Sequence, residues 1–206
     1  MALLIKRAAL EGSSMGPVVH IGYHNCQKRG SYEEIKRGVP FLSGAGENQW
    51  LTQGYYLWTD SPHHALSWNG GRNVVVSEFE VTFDSRDELL DLVGNVKDIL
   101  EFQELIDDAV DVLHGGNATD ITVHQVISYF RELQEDPEYA GIFPYSAVKA
   151  QDRAKVRGEV VVRFVKTRHE QLVALTRQQM CVFEKARDKI TFKCFIAPDE
   201  FAQKRD

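Results

Sequence analysis

Strand-like runs at both ends of this 206-residue chain enclose a long block with helical spacing, and that order restricts the fold more than any other feature. Val18 to Tyr23 is short and rich in β-branched residues, Gly54 to Thr59 is aromatic, and Val74 to Phe83 alternates, so all three read as strands. Ser85-Arg86-Asp87-Glu88 then has the spacing of a helix capping box. Leu89, Leu92, Val96, Leu100, Leu105, Ile106, Val110 and Leu113 follow at helical spacing, as one helix or two, until Gly115-Gly116 interrupts them. Ile121 to Leu133 gives a further helix. Past Pro144 the strand pattern returns at Glu159 to Lys166, Leu172 to Thr176, Gln179 to Phe183 and Ile190 to Ile196. Strands, an inserted helical block and strands again predict an α+β fold with a largely antiparallel sheet rather than a doubly wound parallel one.

The chain is expected to be a single domain over 1–206, with a mobile leader over 1–17 and the helical insertion over about 84–139. Its hydrophobic content of 43% is enough for an ample core. No apolar run approaches the ~18 residues that a membrane span needs. Met1 to Leu10 lacks a full apolar signal region and a clear cleavage site, so a cytoplasmic protein without membrane contact is expected. Three cysteines without a C-x-x-C pair fit a reducing compartment and argue against a disulfide framework or a cysteine-rich zinc site.

Charge is unevenly placed. Between Asp84 and Asp111 ten acids face two bases, a local charge of −8 that leaves +2 for the remainder of a chain whose net charge is −6. Lys149, Arg153, Lys155, Arg157, Arg163, Lys166 and Arg168 form a basic run further on. Both runs are ordinary solvated surface in the plainest reading. In a functional one, the acidic block docks a protein partner and the basic run flanks a phosphate-bearing ligand.

The chemistry-bearing residues gather between Gly22 and Trp68. Gly22-Tyr23-His24-Asn25 ends the first strand on a histidine, and Ser31-Tyr32-Glu33-Glu34 opens a helix that stops at Gly38. Leu42 to Asn48 is a glycine-rich loop. Trp50-Leu51-Thr52-Gln53-Gly54-Tyr55-Tyr56-Leu57-Trp58-Thr59 carries the second strand, and Ser61-Pro62 starts a helix that runs through Trp68. Taken singly, a strand-end His is most often a hydrogen-bonded structural residue, and strand aromatics are most often core. Their order and local company point instead to a pocket. Cys26, two residues after His24, is better read as an inert thiol than as a nucleophile. The adjacent His63-His64 cannot both face one metal from a regular helix. Gly44-Ala45-Gly46-Glu47-Asn48 lacks the third glycine of a dinucleotide fingerprint.

In this order the residues resemble the nicotinamide-binding half of the ADP-ribosyltransferase fold, in the clade of diphtheria-type toxins, poly(ADP-ribose) polymerases and small bacterial relatives. His24 matches the His of an early strand. Gly54-Tyr55-Tyr56-Leu57 matches a G-x-Y-apolar strand, with Tyr56 at the motif position and Tyr55 as the alternative one register away. Trp50, Leu51, Gly54, Tyr56 and Trp58 follow a W-L-G-x-G-x-Y-F-W run, with Thr52 where glycine is usual. Ala65-Leu66-Ser67-Trp68 is also similar, Trp68 being a second aromatic wall. Gln178-Gln179-Met180-Cys181-Val182 resembles the third strand and puts Gln179 where active transferases usually carry Glu. These motifs cover roughly a third of the chain and leave about 84–139 unmatched.

The resemblance implies a split antiparallel β-sheet core and a site that takes NAD as substrate without a metal. His24 would hold the ribose, Tyr56 would stack on nicotinamide, and Gln179 would bond the 2′-hydroxyl of the ribose under attack. Gln179 supplies that bond but no charge for the oxocarbenium-like transition state. Glu184 sits one residue past Phe183, so an undistorted strand points it away from Gln179. The implied activity is transfer of ADP-ribose to a macromolecular acceptor, protein or nucleic acid, with release of nicotinamide. NAD hydrolysis and a non-catalytic NAD, ADP-ribose or protein-binding module are the alternatives. Toxin, phage-defence and regulatory roles all fit, and the acidic block would be the surface for a partner or antitoxin.

Overall fold

A computed structural model of the chain describes residues 16–116, 120–152, 160–174 and 176–204. The expected leader lies outside them except for its last two residues, as do Arg153, Lys155 and Arg157 of the basic run. Nine strands are described: β1 (Val18–Gln27), β2 (Tyr55–Thr59), β3 (Val74–Phe83), β4 (Leu89–Asp91), β5 (Ala147–Asp152), β6 (Val160–Arg163), β7 (Gln171–Ala174), β8 (Arg177–Val182) and β9 (Ile190–Ala197). Five α-helices join them: α1 (Tyr32–Gly38), α2 (His63–Ser67), α3 (Val96–His114), α4 (Val123–Leu133) and α5 (Asp199–Ala202).

Seven strands form one sheet in the order β4-β5-β8-β2-β1-β3-β9, while β6 and β7 form a separate antiparallel pair. Within the large sheet only β4 and β5 run parallel. The fold is therefore α+β with a mostly antiparallel sheet. Pairing is uneven across its middle. β1 and β3 are in register over ten positions, from Val18 opposite Phe83 to Gln27 opposite Val74. β1 and β2 pair only at Gly22 with Thr59 and Tyr23 with Trp58, although both strands continue further. The ladder stops where His24 begins, so the sheet opens at that point.

The period-two alternation of strand side chains sorts the core into layers. Leu57, Met180 and Val182 face one side with Phe79 and Phe83, covered by Tyr32 and Ile35 of α1 and Phe201 of α5. On the other side Val148, Cys181 and Phe183 meet Phe102 and Leu105 of α3 and Val126, Ile127 and Phe130 of α4. Tyr23, Trp58 and Val76 pack there beneath Ala65 of α2. The cavity described below lies on this second side, between the part covered by α2 and the part covered by α3 and α4.

Local signals explain most of the elements. Ser31 and Glu34 form the expected capping box, and α1 stops at Gly38. Thr122 and Gln125 form another at the start of α4. α3 ends on Gly115, whose φ of 59° is the left-handed conformation that glycine adopts freely. Several expectations need correction. Ser85-Arg86-Asp87-Glu88 does not open an α-helix, and Arg86–Glu88 forms only a short 3-10 turn. Ser85 caps nothing, and the Glu88 carboxylate accepts bonds from the Asp84 N–H (2.8 Å) and the Ser146 hydroxyl (2.8 Å) and pairs with Lys189 at 2.9 Å. Leu89 and Leu90 then enter β4, where each is buried in a different layer. A strand buried on both faces shows a continuous apolar run that periodicity cannot tell from a helix. The helix begins instead at Val96, where the Asn95 side chain accepts the Lys97 N–H. β5, the partner of β4, is the second surprise. Lys149 hides its strand pattern, because the ammonium lies 3.8 Å from Asp60 with the side chain only 12% exposed. In α2, Pro62 takes the cap position rather than the first turn, and Trp68 starts a short 3-10 turn instead of ending the helix.

Candidate functional site

The opening between β1 and β2 is bridged by a side chain instead of a backbone ladder. His24 Nδ1 lies 3.1 Å from the Tyr56 carbonyl oxygen. A carbonyl can only accept, so Nδ1 carries the proton and donates, which leaves Nε2 as a bare acceptor. That nitrogen is buried and has no hydrogen-bond partner among the described residues. The ring stands edge-on to Phe41, with centroids 4.3 Å apart. Burial pushes its pKa down to about 4, against a smaller upward pull from the bond to Tyr56, so the imidazole is neutral at physiological pH.

Beside His24 lies a cavity of about 250 Å³, just below the usual size range of ligand sites. Tyr56, Trp58, Trp50 and Trp68 supply aromatic walls, and Asn25, Ser43, Asn48, Gln49 and Gln179 supply neutral polar groups. Among the described residues none that lines it bears a carboxylate or an ammonium. Its electrostatics therefore suit a ligand region recognised by stacking and neutral hydrogen bonds.

Each side chain is placed by its strand. Tyr56 and Trp58 share one face of β2, and Gln179 on β8 stands opposite Trp58 on the same side of the sheet. The Tyr56 hydroxyl donates to the Thr52 carbonyl and accepts the Leu51 N–H, both at 2.8 Å. Its ring is thus held at one end by the backbone of the loop before β2, and burial pushes the phenol up, far from ionisation near neutrality. Trp58 donates its indole N–H to the Asn25 side-chain oxygen at 3.1 Å and packs 5.3 Å from Trp68. Gly54 lets the loop enter β2, since a Cβ there would sit 2.4 Å from Cys181 Sγ and 2.7 Å from the Val182 carbonyl oxygen. Thr52 is buried at 3% exposure with φ of 69°, a left-handed conformation that strains a β-branched residue by about 1–2 kcal/mol.

His24, Tyr56, Trp68 and Gln179 thus meet at one cavity. Tyr55 does not: it points to the other side of the sheet, packs against the layer under α1, and lies under the Arg187 guanidinium at 5.5 Å. Glu184 also stays away. It lies in a 3-10 turn after β8, beside a separate cavity of about 800 Å³, and receives two bonds of 2.7 Å from Arg131. Burial alone would raise its carboxyl, but the Arg131 bonds and charge hold it below its ordinary range. Cys26 packs against the α1 layer, and burial raises its thiol. Burial pushes the Cys181 thiol up to about 12, so neither is an activated nucleophile. Among the described residues no three His, Cys, Asp or Glu side chains come together as a metal site.

Asn25, Phe41 and Ser43 line the cavity without having been singled out as site residues. Asn25 was legible as the neighbour of His24, whereas the loop residues carry no local signal and reach the site only through the fold. Comparison with known proteins returned no matching family model, no matching curated protein and no matching solved structure.

Proposed function

We propose that the chain has the ADP-ribosyltransferase fold, binds the nicotinamide riboside end of NAD in the cavity between β1 and β2, and transfers ADP-ribose to a macromolecular acceptor. The observation that carries this reading is the Nε2 of His24, buried and without a partner among the described residues, beside an aromatic-lined cavity. A buried acceptor without a partner costs about 1–3 kcal/mol, and a ligand hydroxyl that donates to it removes that cost. Ribose hydroxyls are such donors. Tyr56 and Trp68 supply flat surfaces for the nicotinamide ring, and the Gln179 amide can bond the 2′-hydroxyl of the ribose under attack. The parting of β1 and β2 beside His24 supports this reading, which expects a split sheet.

The reaction breaks the bond between C1′ of the ribose and the nicotinamide nitrogen. The bonding pair leaves with nicotinamide, an acceptor lone pair closes on C1′, and the acceptor's proton passes to solvent. Water in place of the acceptor gives free ADP-ribose. Gln179 stabilises the ribose orientation but contributes no negative charge, so this site makes a slow transferase. The absence of a carboxylate among the described lining residues favours a second reading, a non-catalytic NAD or ADP-ribose binder.

Incubation with adenine-labelled NAD and cell lysate separates these readings. Label in protein or nucleic acid, together with nicotinamide release, is the expected result, and it is lost in folded His24→Ala and Tyr56→Ala variants. Release without label identifies a hydrolase. Binding without release identifies the binder, and unchanged activity in both variants contradicts the site.

A further inference from the structure

Thr52 holds a backbone conformation that a β-branched residue keeps only when its surroundings leave it no alternative. Two sets of contacts do so. On one side the Tyr56 hydroxyl accepts the Leu51 N–H and donates to the Thr52 carbonyl. On the other, Arg131 Nη1 donates to Thr52 Oγ1 at 2.5 Å and to the Gln53 carbonyl at 3.1 Å. The fork of Arg131 is itself fixed, because Nη2 donates to both oxygens of Glu184 and the guanidinium lies over the Phe183 ring at 4.1 Å. The same helix grips the loop a second time, through His124 Nδ1 at 2.8 Å from the Gln49 carbonyl oxygen. The loop at 49–53, whose Gln49 and Trp50 line the cavity, therefore hangs from α4 at two points.

We propose that Arg131 is the positioning residue of this site: it holds Thr52 in the left-handed conformation and so fixes the backbone that orients the Tyr56 ring. A planar fork can reach Thr52, Gln53 and Glu184 together, whereas a lysine at this position is a single point charge and cannot. Without the fork Thr52 relaxes to negative φ. Its carbonyl then turns from the Tyr56 hydroxyl, and the Leu51 N–H loses its acceptor. Glycine at 52 holds a positive φ unaided, which makes Arg131 dispensable for the loop. The role in ligand binding rests on the reading of the cavity as an NAD site, whereas the role in holding the loop does not.

Amide hydrogen exchange at Leu51 is the test, in the wild type, Arg131→Met, Thr52→Gly and the double variant. Arg131→Met is expected to speed Leu51 exchange about tenfold while Val76 and Met180 in the sheet keep their protection. In the Thr52→Gly background the same substitution changes Leu51 little. Arg131→Lys gives the same pattern more weakly and serves if the methionine variant fails to fold. Equal acceleration in both backgrounds, or unchanged Leu51 exchange in Arg131→Met, overturns the proposal. NAD affinity follows the exchange pattern, about tenfold weaker in Arg131→Met and restored in the double variant. The exchange pattern without any NAD binding by the wild type supports the positioning role and overturns only the NAD reading.

Discussion

The two ring nitrogens of His24 do different work, and pH separates them. Nδ1 closes the gap between β1 and β2, and Nε2 is buried beside the cavity with a lone pair and no donor among the described residues. The ring stays neutral in the fold until about pH 4, against an ordinary 6.5. Below 6.5 the unfolded chain binds a proton that the folded ring refuses. The associated stability is complete above 6.5 and is lost as pH falls from there toward about 4. At pH 5 the loss amounts to about 2 kcal/mol. Urea unfolding at pH 7 and pH 5 reads it as a drop in stability that His24→Leu does not share. A variant that loses as much as the wild type contradicts a buried neutral imidazole. In the proposed reading Gln179 sets the chemistry as His24 sets the binding. On that reading Gln179→Glu places a carboxylate where positive charge develops, and nicotinamide release is expected to rise by about a hundredfold. A glutamate variant no faster than the wild type identifies a binder.

At the scale of elements, the tight approach of the loop before β2 to β8 governs stability. Gly54→Ala drives a methyl group into Cys181 and the Val182 backbone, and is expected to cost about 2 kcal/mol or more in denaturant unfolding. Thr122→Ala removes half of the α4 capping box at a cost of about 1 kcal/mol. A Gly54→Ala variant as stable as the wild type contradicts the observed approach of this loop to β8. Elements with a local cause were legible in the sequence: α1 from its cap, α4 as the run Ile121 to Leu133, β3 from its alternation, the end of α3 from Gly115. β4 and β5 were not, because their pairing is parallel and joins residues more than fifty positions apart. Nothing near Leu89 or Ala147 announces that partner. The cavity was legible in the same way. His24, Tyr56, Trp68 and Gln179 carry chemistry that a motif exposes, while Tyr55 could be set aside only once the register of β2 was known. The grip of Arg131 on Thr52 has no local signature at all, since it needs α4 folded back onto the loop.

Across the whole molecule, the sheet separates its tasks. One face is a plain core closed by α1 and α5, and the other divides into a core under α3 and α4 and an aromatic cluster under α2, with the cavity where the two meet. Charge follows a similar division. The acidic residues concentrate on α3, where Asp108 is pushed above its usual range first by burial and then by Asp111, Asp107 and Glu104. Asp108→Asn is expected to raise the melting temperature, more at low salt than at high, because it removes like-charge repulsion. An unchanged melting temperature at low salt contradicts that strain. The cavity itself bears no charge among its described lining residues, so its affinity is expected to depend little on salt. Calorimetric titration of NAD into the wild type and His24→Ala tests the central claim most directly. A single site in the wild type, weakened about tenfold or more in the variant, is the predicted result. No binding at millimolar NAD, or equal binding by both proteins, contradicts it.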